Sequence, residues 1–157
     1  DLDTIVISGM GGMLIQSILK RGYQKAIRAK ELILSPQSDI PILRQYLRRN
    51  GFLIIDEDVI MDAEKYYTIL KVIPASNPDA ENMTLTFEDR YGPILLSKRP
   101  EAYLKILAHK AATNLEIIHQ FEQAPDTDQN LKRLQDLYQQ QNEIDTVIRN
   151  GNKKKAE

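Results

Sequence analysis

Between Thr4 and Leu19 a run of β-branched residues, a glycine turn and a helical apolar stripe follow one another without a break, and this order limits the fold more than any other stretch. Thr4 to Ile7 suit a pleated strand, and the apolar Ile5-Val6-Ile7 fits a parallel strand covered on both faces, ending at Ser8. Gly9, Gly11 and Gly12 then open backbone conformations closed to other residues and let a ligand approach the main chain. Met13, Leu14, Ile18 and Leu19 recur with helical spacing, so the glycines stand where a helix start offers N–H groups to an anion or a polar ligand.

The pattern continues as an α/β unit. Glu31 to Leu34 reads as a second buried strand ended by Ser35-Pro36-Gln37-Ser38-Asp39, and strand, helix and strand in that span form the crossover unit of a parallel sheet. Asp39 as N-cap, Pro41 in the first turn and Asn50-Gly51 as a stop predict a helix over 40–49 with Ile40, Leu43 and Leu47 inward. Residues 52–60 and 66–73 read as two strands of an antiparallel edge hairpin. Residues 74–82 are turn-rich, and 83–96, which contain Tyr91-Gly92-Pro93, read mostly as loop.

From Pro100 the period changes. Leu104, Leu107, Ala111, Leu115, Ile118 and Phe121 predict one long amphipathic helix ending at Pro125. Leu131, Leu134, Tyr138, Gln141, Ile144 and Ile148 predict a second, paired with the first as an antiparallel hairpin that Asn150-Gly151 stops. Asn114 and Gln141, at or near the seam, are candidates for fixing its register. A tail over 152–157, with three lysines, reads as disordered.

Composition removes several classes of function. The chain has 157 residues and no cysteine, which excludes disulfides and thiolate metal sites and favours an intracellular enzyme or binding protein. No apolar run approaches the roughly 18 residues of a membrane span, so a soluble cytoplasmic protein is expected. A formal net charge of -1 opposes a generally basic nucleic-acid binder while leaving room for local basic clusters. His109 and His119 lie ten positions apart on the first long helix, not the three or four that stack a metal pair, so no metal is expected.

Ser-Gly-Met-Gly-Gly after a strand also fits a dinucleotide phosphate loop. Leu14 stands where the third glycine of that pattern belongs, and Leu34-Ser35-Pro36 ends the next strand without a ribose-binding acid. A purely structural glycine turn is the plain alternative.

A more specific reading comes from resemblance. Thr-Ile-Val-Ile-Ser-Gly-Met-Gly-Gly-Met-Leu-Ile from Thr4, Leu-Ile-Leu-Ser-Pro-Gln ending at Gln37, Leu-Arg-Gln-Tyr-Leu-Arg-Arg-Asn-Gly-Phe ending at Phe52, Ile-Asp-Glu ending at Glu57 and Lys-Tyr-Tyr-Thr-Ile-Leu ending at Leu70 closely resemble the bacterial tRNA adenine-N1-methyltransferase family that modifies adenine-22 of the D-arm. Tyr-Gly-Pro-Ile-Leu and the helical hairpin match as well, so the resemblance covers almost the whole chain. It implies the second half of a Rossmann-like methyltransferase sheet, parallel strands plus an antiparallel edge hairpin, over 1–96, and an antiparallel coiled-coil hairpin over 97–151.

The same resemblance implies an enzyme using S-adenosylmethionine as cofactor and tRNA as partner, with the segment alone inactive. The family's first half-sheet, with its cofactor-cradling loop and ribose-binding acid, has no counterpart here, so the missing half or a partner chain is expected to pair with the first strand. A non-catalytic module binding RNA or protein through its hairpin is the alternative. Gly9, Met10, Gly11 and Gly12 are the implied cofactor-binding residues, and Pro36 and Gln37 the implied contacts to the target base. Arg44, Arg48, Arg49, Lys98, Arg99, Lys105, Lys110, Lys132 and Arg133 are the cations placed to follow a tRNA backbone. Asp56, Glu57 and Asp58 read as solvated charge on an edge strand, and no catalytic carboxylate can be placed.

Overall fold

The computed structural model describes residues 2–153, with side chains through 150. The chain divides into two compact units, Asp1–Pro100 and Glu101–Glu157. The first is an α/β unit in the order β1 (Thr4–Met10), α1 (Gly12–Arg21), α2 (Tyr23–Ala26), β2 (Glu31–Pro36), α3 (Ile40–Arg49), β3 (Phe52–Asp62), β4 (Lys65–Pro74), α4 (Phe87–Tyr91) and α5 (Leu95–Lys98). The second unit is a pair of helices, α6 (Glu101–Glu122) and α7 (Asp128–Lys153).

The sheet has four strands in the order β1-β2-β4-β3. β1 and β2 run parallel, while β4 is antiparallel to both β2 and β3. β3 and β4 form the expected hairpin, and the turn residues Ala63 and Glu64 both take positive φ. β2 and β4 are the inner strands; Leu32 and Leu34 of β2 are fully buried, and with Ile15, Leu19, Leu43, Leu47, Leu70 and Val72 they form most of the core. Each such leucine contributes about 1.5–3 kcal/mol by leaving water.

β1 differs from its expected setting. It continues through Ser8 and Gly9 to Met10, and it is an edge strand whose Val6 is 67% exposed, not a strand covered on both faces. Only the face holding Ile5 and Ile7 packs on the core.

Residues 83–96 are not mostly loop. Thr86 and Asp89 form a reciprocal capping box that starts α4, and α5 follows after Gly92-Pro93. α3 has the predicted limits, but Asp39 takes a left-handed φ of 52° and its side chain makes no cap bond.

In the second unit the buried positions of α6 are Tyr103, Leu107, Asn114 and Ile118. On α7 they are Leu137, Gln141, Ile144 and Val147. Leu115, Leu131 and Tyr138, expected in the seam, are 52%, 49% and 44% exposed. Asn114 donates from Nδ2 to the Leu137 carbonyl and to Gln141 Oε1, both at 3.0 Å, so two polar side chains are satisfied inside the contact between the helices. α7 does not stop at Gly151 but runs to Lys153, so the expected disordered tail loses its first two residues to helix; positions 154–157 lie outside the described residues. No described helix is long and apolar enough to cross a membrane.

The shift of seam gives a direct test. Leu137→Ala should cost about 2–5 kcal/mol, whereas Tyr138→Ala, removing a half-exposed ring, should cost less than about 1 kcal/mol. Urea unfolding followed by far-UV helix signal would show the larger loss for Tyr138→Ala if the predicted seam were the real one.

Candidate functional site

The carboxyl ends of β1 and β2 lie side by side, Met10 opposite Pro36 in the ladder, and the two following turns are joined by main-chain bonds. Gln37 N–H donates to the Met10 carbonyl at 3.0 Å, and Gly12 N–H donates to the Ser38 carbonyl at 2.8 Å. The expected cofactor loop and the expected base loop are therefore one continuous surface at the edge where open α/β sheets place their ligands.

The glycines have different duties. Gly12 is buried, and a Cβ there would stand 2.6 Å from the Asp39 carbonyl oxygen and 2.7 Å from that of Ser38, so its absence of side chain lets α1 and α3 begin against each other. Gly9 has φ +76 and nothing within 4 Å of its would-be Cβ, so its backbone is open to a ligand. Gly11 is the N-cap position of α1, and Met10 is the last residue of β1. Pro36 is buried, while Gln37, Ser38 and Asp39 are exposed.

These residues can be tested for fit to a nucleoside cofactor. The backbone at Gly9 is open to close approach, and Met13 and Leu14 at the start of α1 are exposed apolar side chains. β2 ends in Ser35-Pro36 with no acid for a ribose. The described residues thus offer open backbone at Gly9 and no acid for a ribose at the end of β2.

Most of the first unit's expected tRNA-binding cations are engaged elsewhere. Arg44, 4% exposed, donates from Nε to Glu57 Oε1 at 2.7 Å and from Nη1 to the carbonyls of Asp89 and Arg90 at 3.2 and 3.4 Å. Glu57 is 1% exposed, which corrects its reading as solvated edge charge; its Oε2 accepts from the N–H groups of Ile94 and Leu95 at 2.9 and 3.2 Å. One turn along α3, Arg48 holds Asp89 Oδ2 at 2.7 Å and Asp79 Oδ2 at 2.6 Å. Arg49 Nη2 lies 2.6 Å from Met83 Sδ.

Lys98 bridges Asp56 at 3.2 Å and Asp58 at 3.3 Å, and its hydrogen bond holds the Asp56 carboxyl below the usual carboxylate range. Arg99 caps α5 with φ 49. Lys105 pairs with Glu101 along α6 at 3.0 Å. Lys110, Lys132 and Arg133 are exposed on α6 and α7. Arg44 and Arg48 thus hold the fold, and a cavity of about 430 Å³ beside them, lined by Phe52, Ile54, Asp79, Asp89 and Pro93, sits at the end of α3 away from the glycine turn. Sequence reasoning missed Glu57 and Asp89; the Thr86-to-Asp89 spacing of a capping box was the available signal for Asp89.

Residues 1–147 match the tRNA (adenine(22)-N(1))-methyltransferase family. The chain belongs to this family. The Bacillus subtilis tRNA (adenine(22)-N(1))-methyltransferase is 31% identical over 153 residues, covering 96% of this chain and 64% of that protein's length. Its crystal structure superposes with a TM-score of 0.79 at 30% identity, over 93% of this chain and 63% of that one. A Streptococcus pneumoniae protein crystallised with S-adenosyl-L-methionine superposes at 0.75 and 27% identity, over 93% of this chain and 60% of that one. The family match spans the glycine turn, the Pro36-Gln37 turn and most of the helical unit.

Glu57→Ala should destabilise the first unit by about 3–5 kcal/mol, because it leaves the Arg44 guanidinium buried and unpaired. Gly12→Ala should also destabilise it, since backbone carbonyls stand where the methyl must go. Thermal unfolding measures both; a wild-type melting temperature for either variant would refute the corresponding contact.

Proposed function

We propose that this chain is the C-terminal part of an S-adenosylmethionine-dependent enzyme that methylates N1 of adenine-22 in the D-arm of tRNA, in the cytoplasm where tRNA works. What carries the reading is the family match over 1–147 with its glycine turn hydrogen-bonded to the Pro36-Gln37 turn. The sheet is read as the second half of a Rossmann-like domain, with the exposed edge of β1 pairing with the rest of it. The helical unit is read as a coiled coil that grips tRNA.

When bound, S-adenosylmethionine supplies an electrophilic methyl group. Gly9, Met10, Gly11 and Gly12 hold one side of the cofactor through backbone, with Gly9 giving the close approach. Gln37 presents an exposed side-chain amide, with a donor and an acceptor that can pair with an adenine edge. N1 of neutral adenine carries its own lone pair and needs no prior deprotonation, so the chain's contribution is alignment of base and methyl group. Lys132 and Arg133, exposed on α7, are the cations we assign to tRNA phosphates, while Arg44, Arg48 and Lys98, and Lys105 beside Glu101, are held by carboxylates.

The test uses the full-length protein, S-adenosylmethionine labelled in its methyl group, and a tRNA with adenine or guanine at position 22. Label at N1 of adenine-22, and none in the guanine variant, is the expected result. Lys132→Ala with Arg133→Ala should weaken tRNA binding and flatten its logarithmic salt dependence by about 1 per lost phosphate contact. Unlabelled adenine-22 tRNA would sink the activity; an unchanged salt slope would remove these two cations from the interface.

A further inference from the structure

The site as described so far contains no carboxylate, yet the fold brings one to it. Asp39 is exposed, immediately follows the exposed Gln37-Ser38 pair, and its Oδ2 stands 3.8 Å from where a Cβ on Gly11 would lie. It occupies the N-cap position of α3, where an Asp ordinarily spends its carboxylate on the first N–H groups of the helix. Here it caps none: φ is 52°, and the carboxylate instead accepts from Ser38 Oγ at 3.0 Å. Asp is among the few side-chain-bearing residues that tolerate this left-handed backbone. The Ser38 carbonyl in turn accepts from Gly12 N–H, so the peptide carrying Asp39 is tied to the glycine turn.

We propose that Asp39 contacts the target base, its carboxylate accepting from the exocyclic N6–H of adenine. This assignment rests on the methyl-transfer reading above. In that reaction the N1 lone pair forms the new bond to the methyl carbon while the carbon–sulfur bond breaks and its electrons stay on sulfur. The positive charge moves to the adenine ring and spreads over N1, C6 and N6, with both N6 hydrogens retained. A carboxylate facing N6–H is paired most strongly when that charge has developed, so it favours the transition state over the neutral base. Gln37, two residues before it, remains the neutral partner that sets base identity.

The full-length enzyme tests this with two variants and two substrates. Asp39→Asn keeps the shape and tolerates the same backbone, and Asp39→Gly relieves the left-handed strain, so at least one is expected to fold. Both should lower the rate on tRNA with adenine at position 22 by about 10- to 100-fold. Neither should differ from wild type on tRNA carrying unsubstituted purine there, which has N1 but no amino group. Variants as fast as wild type on adenine would overturn the assignment, as would an equal loss on adenine and purine, which marks a merely structural role. A wild-type enzyme that methylates neither substrate overturns the methyl-transfer reading itself, whereas active wild type with indifferent variants overturns Asp39 alone.

Discussion

The Arg44–Glu57 ion pair is the contact on which the first unit's organisation depends. Both side chains are almost wholly buried, and each ion taken out of water costs several kcal/mol unless every polar atom is matched. The match is close to complete: Glu57 Oε1 takes Arg44 Nε and Oε2 takes two backbone N–H groups, while Arg44 Nη1 takes two backbone carbonyls. Three parts of the chain therefore converge on one pair of charges: α3, β3 and the segment from α4 to α5. Gly92 turns between those short helices with φ +90, and a Cβ there would fall 2.8 Å from both Arg44 Nη2 and Glu57 Oε2. The Tyr91-Gly92-Pro93-Ile94-Leu95 motif is accordingly a receptor for the ion pair, which explains its composition without assigning it chemistry.

α3 carries this fixation to the ligand edge. Its Arg44 and Arg48 stand one turn apart and anchor the helix to β3, α4 and the 79–84 connection, while its first residues follow Ser38 and Asp39 beside the glycine turn. A rigid helix held at one end by buried charge gives little freedom to the turn at the other. The alignment proposed for this turn would need that rigidity, because misplacement by about 1 Å can cost on the order of 100-fold in rate.

The strand–glycine–helix order, the helix over 40–49 and the 52–74 hairpin were legible because each rests on local pattern: β-branched runs, Asn50-Gly51 and a short polar link. Glu57 was not, because strand alternation is broken between Ile54 and Asp56, where the ladder shifts register. Phe52 faces inward, and after the bulge the inward positions become Glu57 and Val59, so neighbours of like charge end in opposite environments. The helical seam was legible at Leu107, Ile118, Gln141 and Ile144, and was off by one position at Leu104, Leu115, Tyr138 and Ile148 for a different reason. Tyr138 reaches the Glu122 carboxylate from the rim while Leu137 turns inward, and Asn114 fills a buried place that an apolar count gives to Leu115. Apolar spacing alone cannot decide between adjacent stripes when polar side chains find partners inside.

The same pairing logic bears on where a polyanion can bind. Counting Lys and Arg makes α3 look like a basic ridge, but a cation closed against carboxylates offers no counterion release to a phosphate chain, and the local charge of Arg44, Arg48 and Lys98 is cancelled by Glu57, Asp79, Asp89, Asp56 and Asp58. The turn beside the glycines keeps neutral polar groups and the Asp39 carboxylate, which accepts from Ser38 Oγ and caps no helix N–H. If the proposed methyl transfer takes place at this edge, the absence of a dense positive surface suits it, since such a surface would oppose the positive charge that methylation of a neutral base creates. On the proposed reading, attraction for the tRNA backbone falls to exposed cations of α7 such as Lys132 and Arg133, so the charge that binds and the groups that align belong to different parts of the chain.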